Sequence, residues 1–102
     1  MLNLEKDIEN SIMRLCKKHY VESFALFGSA VRHQMMKDSD VDFLVRFNSK
    51  LKLLDYADNY FDLKRALENI LNKEVDLVSE RSLKNPILIK NIEESKVMLY
   101  EA

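Results

Sequence analysis

The chain has 102 residues, 47% hydrophobic and 32% charged, with a net charge of −1. That is one domain's length, and the supply of Leu, Ile, Val and Phe excludes an intrinsically disordered chain. The balanced charge argues against a broad, sequence-independent phosphate-binding surface, and a single cysteine, Cys16, excludes a disulfide framework or a multi-cysteine zinc site.

Met1 to Asp7 carries acids where a secretory signal would carry a basic and then an apolar stretch. No apolar run approaches the roughly 20 residues of a membrane span, so the expectation is a soluble, cytoplasmic protein. Leu4, Ile8, Ile12 and Leu15 step by four, four and three, which predicts a helix over about 3–19 with Cys16 as a buried apolar residue. Ser23 to Phe27 reads as a buried strand ending at Gly28. This is the only glycine in the chain, where average usage would give about seven. Residues 29–36 suit a short helix and 37–40 a turn. Val41, Phe43, Val45 and Phe47 alternate strictly and predict a second strand.

Asn48-Ser49 can cap a long helix whose apolar positions are Leu53, Tyr56, Tyr60, Leu63, Leu67 and Ile70. Lys73 to Val78 alternates again, with Val75 and Leu77 on one face. Asn85-Pro86 fits a helix N-cap followed by proline at the first helical position. Lys96 to Tyr100 reads as a terminal strand. Helices alternating with strands predict an α/β chain of the α+β kind, a mixed or parallel sheet with helices packed on it, as one domain over 1–102. His19 and His33 read as surface or helix-end residues, and the methionines and phenylalanines as core filling.

The chemistry gathers around the second strand. Asp40 and Asp42 are two apart, so their side chains share a face while Val41, Phe43 and Val45 point into the core. Two neighbouring carboxylates repel, and a cation between them relieves this; an oxygen pair of this kind suits Mg²⁺, which takes one or two carboxylates plus substrate phosphates. The alternative is an acidic strand face in water. Gly28-Ser29 lies between a strand and a helix start, where glycine lets backbone approach a ligand and free N–H groups favour phosphate. It equally fits a plain turn with Ser29 as N-cap. Arg32, one helical turn on, could reach a phosphate there or pair with an acid. Asp76 stands among apolar strand residues, a costly place for an unpaired acid. Spacing alone does not choose between Glu74 and Asp76 as a ligand.

Together, Gly28-Ser29, Asp40-x-Asp42 and a later strand acid form a more specific pattern than any part. The stretch Leu26 to Val45 closely resembles the core motif of the polymerase-beta-like nucleotidyltransferases. The likeness extends through Lys73 to Val78 and Val97 to Tyr100, and across the whole chain it resembles the minimal nucleotidyltransferases. That resemblance implies Asp40, Asp42 and Asp76 as metal-holding catalytic acids, with two Mg²⁺ ions. It implies Gly28, Ser29 and Arg32 as residues that hold the triphosphate of ATP. The implied activity is transfer of AMP from ATP to a hydroxyl, with a helical HEPN-type protein as partner, as in toxin–antitoxin pairs where the transferase silences the toxin. The implied acceptor is a tyrosine hydroxyl; no direct nucleic-acid or membrane binding is expected. His33 stands where many relatives have glycine. Competing classes are a non-catalytic binding module and a transferase for small molecules such as antibiotics; the latter needs an acceptor-binding region for which the chain has no room.

Overall fold

The computed structural model describes residues 5–28 and 40–102. Among them, α1 (Lys6–Lys18) leads into β1 (Val21–Phe27); β2 (Val41–Phe47), α2 (Leu53–Leu71), β3 (Val75–Ser79), α3 (Pro86–Ser95) and β4 (Val97–Glu101) follow. A 3₁₀ turn, Glu80–Ser82, follows β3. The expected short helix over 29–36, the turn over 37–39 and His33 lie outside the described residues, as do residues 1–4.

The strands form a mixed sheet in the order β3-β2-β1-β4. β1 pairs antiparallel with β2 and with β4, while β2 and β3 run parallel. A parallel pair needs a crossover, and the 19 residues of α2 supply it.

Alternation along β2 creates two unlike faces. Val41, Phe43 and Val45 are fully buried beneath α1 and α2, against Ile12, Cys16, Leu63 and Leu67. Phe24 of β1 stacks on Phe43 with ring centroids 4.7 Å apart. The other face carries a smaller core of Ala25, Leu44 and Ile92, the last brought by α3. Cys16 lies wholly inside the first core, and burial pushes its thiol up to about 12, so it is an inert packing residue.

The scarcity of glycine shows in the turns. Asn72 closes α2 in the left-handed region at φ 53°, a place where asparagine substitutes for glycine. Tyr20, between α1 and β1, also has positive φ.

Not all methionines and phenylalanines fill the core as expected: Met13, Phe61 and Met98 are exposed. Asn48-Ser49 does not cap α2, which begins after Lys52 with no side-chain cap. The Asn48 side chain instead accepts from the Lys50 N–H at 2.9 Å, closing a tight turn after β2. His19 stands at a helix end as expected, at the C-terminus of α1, and is buried there, with Nδ1 3.0 Å from Asn59 Oδ1 on α2. Asn85 caps α3 as expected: its side chain accepts from the Ile87 and Leu88 N–H groups, with Pro86 at the helix start. Replacing it should expose that role. Asn85→Ala should lower stability by about 1 kcal/mol, the usual worth of such a cap. A melting temperature equal to that of the unmutated chain would contradict it.

Candidate active site

Residues Phe27, Asp42 and Asp76 face one another across β1, β2 and β3. In adjoining strands, directly paired residues project to the same side. Asp42 is two residues before Leu44, so it shares the face that α3 covers and lies beyond the covered part. Asp40 precedes β2 and is exposed, as is Asp76; Asp42 is half-buried. The sheet register thus puts Asp42 and Asp76 on the same face, while Asp40 lies just before the strand.

The electrostatics agree with the register. The Asp42 carboxyl is held above the usual carboxylate range, first by burial, then by the charges of Asp76 and of Asp40. One acid two residues away and one on another strand thus both act on Asp42. Among the described residues no three acid, histidine or cysteine side chains are drawn into a closed metal cage. The acids share a face without closing around a point, as mutually repelling charges do.

Gly28 follows β1 directly, with φ at 76°. A Cβ placed there would stand 2.2 Å from Asp42 Oδ2, well inside contact distance. Only glycine leaves room for this carboxylate and also accepts the left-handed backbone. Ser29 and Arg32, expected beside it, lie outside the described residues.

Glu74 and Asp76 were equal candidates by spacing. The Glu74 carbonyl accepts from the Val41 N–H at 3.0 Å, so its backbone helps bind β3 to β2. It is Asp76 that pairs with Asp42 and acts on its charge.

Side chains of α2 add features that the periodicity concealed. Tyr56 and Tyr60 occupy apolar helix positions, as expected, but both hydroxyls reach β3. Tyr56 donates to Ser79 Oγ at 2.5 Å, and Tyr60 donates to the Leu77 carbonyl. The Tyr60 phenol is pushed up by burial, then by Asp76 and by Tyr56. The one available signal was the choice of tyrosine over phenylalanine at two positions one turn apart. At the other end of β2, Arg46 lies between Glu22 and Glu80 at 3.7 and 3.8 Å, a half-exposed network that contributes little stability.

A group of carboxylates of which Asp42 is kept from ionising freely, first by burial and then by the charges of Asp76 and Asp40, fits a hard divalent cation such as Mg²⁺. The close backbone approach at Gly28 fits a phosphate chain beside it.

Comparison with known proteins points the same way. The family description "Polymerase beta, Nucleotidyltransferase" matches residues 10–102. The protein adenylyltransferase MntA of Thermococcus cleftensis is 42% identical over 92 residues, which cover 85% of this chain and 87% of that one. A solved candidate minimal nucleotidyltransferase is 36% identical with a TM-score of 0.72, covering 90% of this chain and 89% of that one. A toxin–antitoxin complex solved with AMP-PNP contains a chain 25% identical to this one, with a TM-score of 0.71 and coverage of 92% and 73% respectively. No helix among the described residues is long and apolar enough to cross a membrane.

The crowding of carboxylates has a measurable cost. Asp42 binds its proton more tightly in the folded chain than in the unfolded one, where its value is about 3.9. Ionised Asp42 therefore destabilises the fold; the penalty is complete above the folded-state pKa and vanishes as pH falls toward the unfolded value. In a chelator, Asp42→Asn should melt higher than the unmutated chain near neutral pH. The gap should close as pH falls to about 4. Coincident melting curves at neutral pH would contradict this.

Proposed function

The chain belongs to the polymerase beta nucleotidyltransferase family, and on that premise we propose that it moves AMP from ATP to a hydroxyl on a partner protein. The observation that carries the proposal is the meeting of Gly28, Asp42 and Asp76 on one sheet face. The name of the adenylyltransferase relative supports the class of reaction. The complex solved with AMP-PNP supports an adenine nucleotide as donor and a toxin as the natural partner, taken here to be of the helical HEPN kind that the family resemblance implies.

Asp40, Asp42 and Asp76 would together hold two Mg²⁺ ions. When bound, these supply positive charge to the phosphates and to the acceptor oxygen. The chain's own residues do the positioning. Gly28 lets the triphosphate come against the backbone beside Asp42, and Ser29 and Arg32 hold its outer phosphates. Asp76, on the outermost of the three strands, faces the entering hydroxyl and takes its proton. The acceptor oxygen forms a bond to the α-phosphorus, the bond between the α-phosphorus and the bridging oxygen breaks, and pyrophosphate leaves. Positioning and charge carry the rate, since the protein forms no covalent bond of its own.

The acceptor belongs to a protein because the chain has little material with which to enclose a small molecule. Of the larger clefts lined by described residues, one of about 250 Å³ lies around Arg46 and Arg81, and the other, about 430 Å³ along Tyr60, Phe61 and Leu77, is an open groove beside β3 and encloses nothing. Small-molecule sites usually bury most of their ligand. A partner surface carrying a tyrosine hydroxyl would both supply the nucleophile and exclude water.

Incubating the chain with ATP, Mg²⁺ and the product of the neighbouring gene should add the mass of one or more AMP groups to that partner. Replacing any of Asp40, Asp42 or Asp76 with asparagine should reduce the rate by at least about a thousandfold, the scale of losing a principal electrostatic group. An unmodified partner that the chain nevertheless neutralises would favour contact alone. Modification of an aminoglycoside by the lone chain would favour a small-molecule transferase.

A further inference from the structure

Asp76 has an unusual support for a residue of its role. β3 is an edge strand, with β2 on one side and no strand on the other among the described residues. Edge strands slide and fray more readily than central ones, because half of their backbone groups lack a strand partner. Along a parallel pair, successive residues direct their backbone groups alternately to the two sides. The Glu74 carbonyl faces β2, where it accepts from Val41; Val75 and Leu77 consequently face outward, and Asp76 lies between them.

Both outward residues are held by α2. The Val75 N–H donates to the Glu68 carboxylate at 3.1 Å, and the Leu77 carbonyl accepts from the Tyr60 hydroxyl. Tyr60 and Glu68 are eight residues apart, two helical turns on one face. Val75 and Leu77 are almost fully buried, at 3% and 2% exposure, and the two bonds that fasten them are part-buried. The residues fastened are those immediately before and after Asp76.

We propose that Tyr60 and Glu68 are positioning residues for Asp76, a two-point clamp from α2 that fixes this edge-strand carboxylate opposite Asp42. The proposal rests on the reading of Asp76 as a metal-holding acid. Neither clamp residue needs to touch metal or nucleotide; each acts through the backbone. Tyr56 provides an internal comparison. Its hydroxyl also binds β3, but at Ser79, three residues from Asp76.

The test is a Mn²⁺ titration of the full chain, followed by electron paramagnetic resonance, with an ATP analogue blocked between the α- and β-phosphates. Tyr60→Phe and Glu68→Ala should each raise the Mn²⁺ concentration at half-saturation by about tenfold, the usual effect of removing a ligand's support. Glu68→Gln keeps an acceptor oxygen for Val75 and should stay within about twofold of the unmutated chain. Tyr56→Phe should also leave the titration unchanged, whatever it does to the melting temperature. If Tyr60→Phe fails to fold, the Glu68 pair decides. Folded Glu68→Ala that titrates like the unmutated chain would overturn the clamp, as would equal losses in Glu68→Ala and Glu68→Gln. Asp76→Asn separates the two levels. If it titrates normally, the metal-site reading itself fails; if it loses the response while the clamp variants keep theirs, only the clamp fails.

Discussion

One row of residues crosses three strands: Phe27 on β1, Asp42 on β2 and Asp76 on β3. Gly28, next to Phe27, leaves the space that the Asp42 carboxylate enters. The acidic face depends on that register. A slip of one residue would turn Asp42 inward and a buried valine or phenylalanine outward. The register is fixed from the opposite face, where Val41, Phe43 and Val45 are fully buried under α1 and α2. The apolar side of β2 thus holds its acidic side in place. Burying these side chains contributes about 1.5–3 kcal/mol each, against which the repulsion of the acids is tolerable.

The same arrangement explains why the acids stand where they do rather than on a loop. A strand holds its side chains on a stiff backbone, and the sheet keeps two separate strands at a fixed spacing. Asp42 is central and well supported. Asp76 is at the margin, with α2 taking the place of a missing strand through Glu68 and Tyr60. An outer position also leaves Asp76 exposed, and on the proposed reading the edge that makes it less secure is the one by which an acceptor would enter.

Much of this was legible in the sequence. Strict alternation gave β2 its bounds, and the i, i+2 rule put Asp40 and Asp42 together. Asn85-Pro86 announced the start of α3. The resemblance to nucleotidyltransferases picked out Asp76, which spacing alone could not separate from Glu74. Strand order was less accessible, because pairing between β2 and β3 joins residues 34 positions apart through tertiary contact. The hydroxyl contacts of Tyr56 and Tyr60 were hidden for a similar reason: an apolar period records which side of a helix is inside, not what its polar tips meet. Asn48 misled because asparagine serves turns and helix caps by the same hydrogen-bonding chemistry. The burial of His19 was hidden because its partner, Asn59, is on another helix.

The acidic face and the glycine beside it acquire a function only if the α-phosphorus of a nucleotide is attacked there. Two parallel incubations with Mg²⁺ and the partner protein address this, one with ATP labelled at the α-phosphate and one at the γ-phosphate. The expected result is label on the partner from the α position only, an equal amount of pyrophosphate carrying the γ label, and neither product in a chelator. Label on the partner from the γ position would mean that a phosphoryl group, not AMP, is transferred, and would contradict the assignment of this face as a nucleotidyltransferase site.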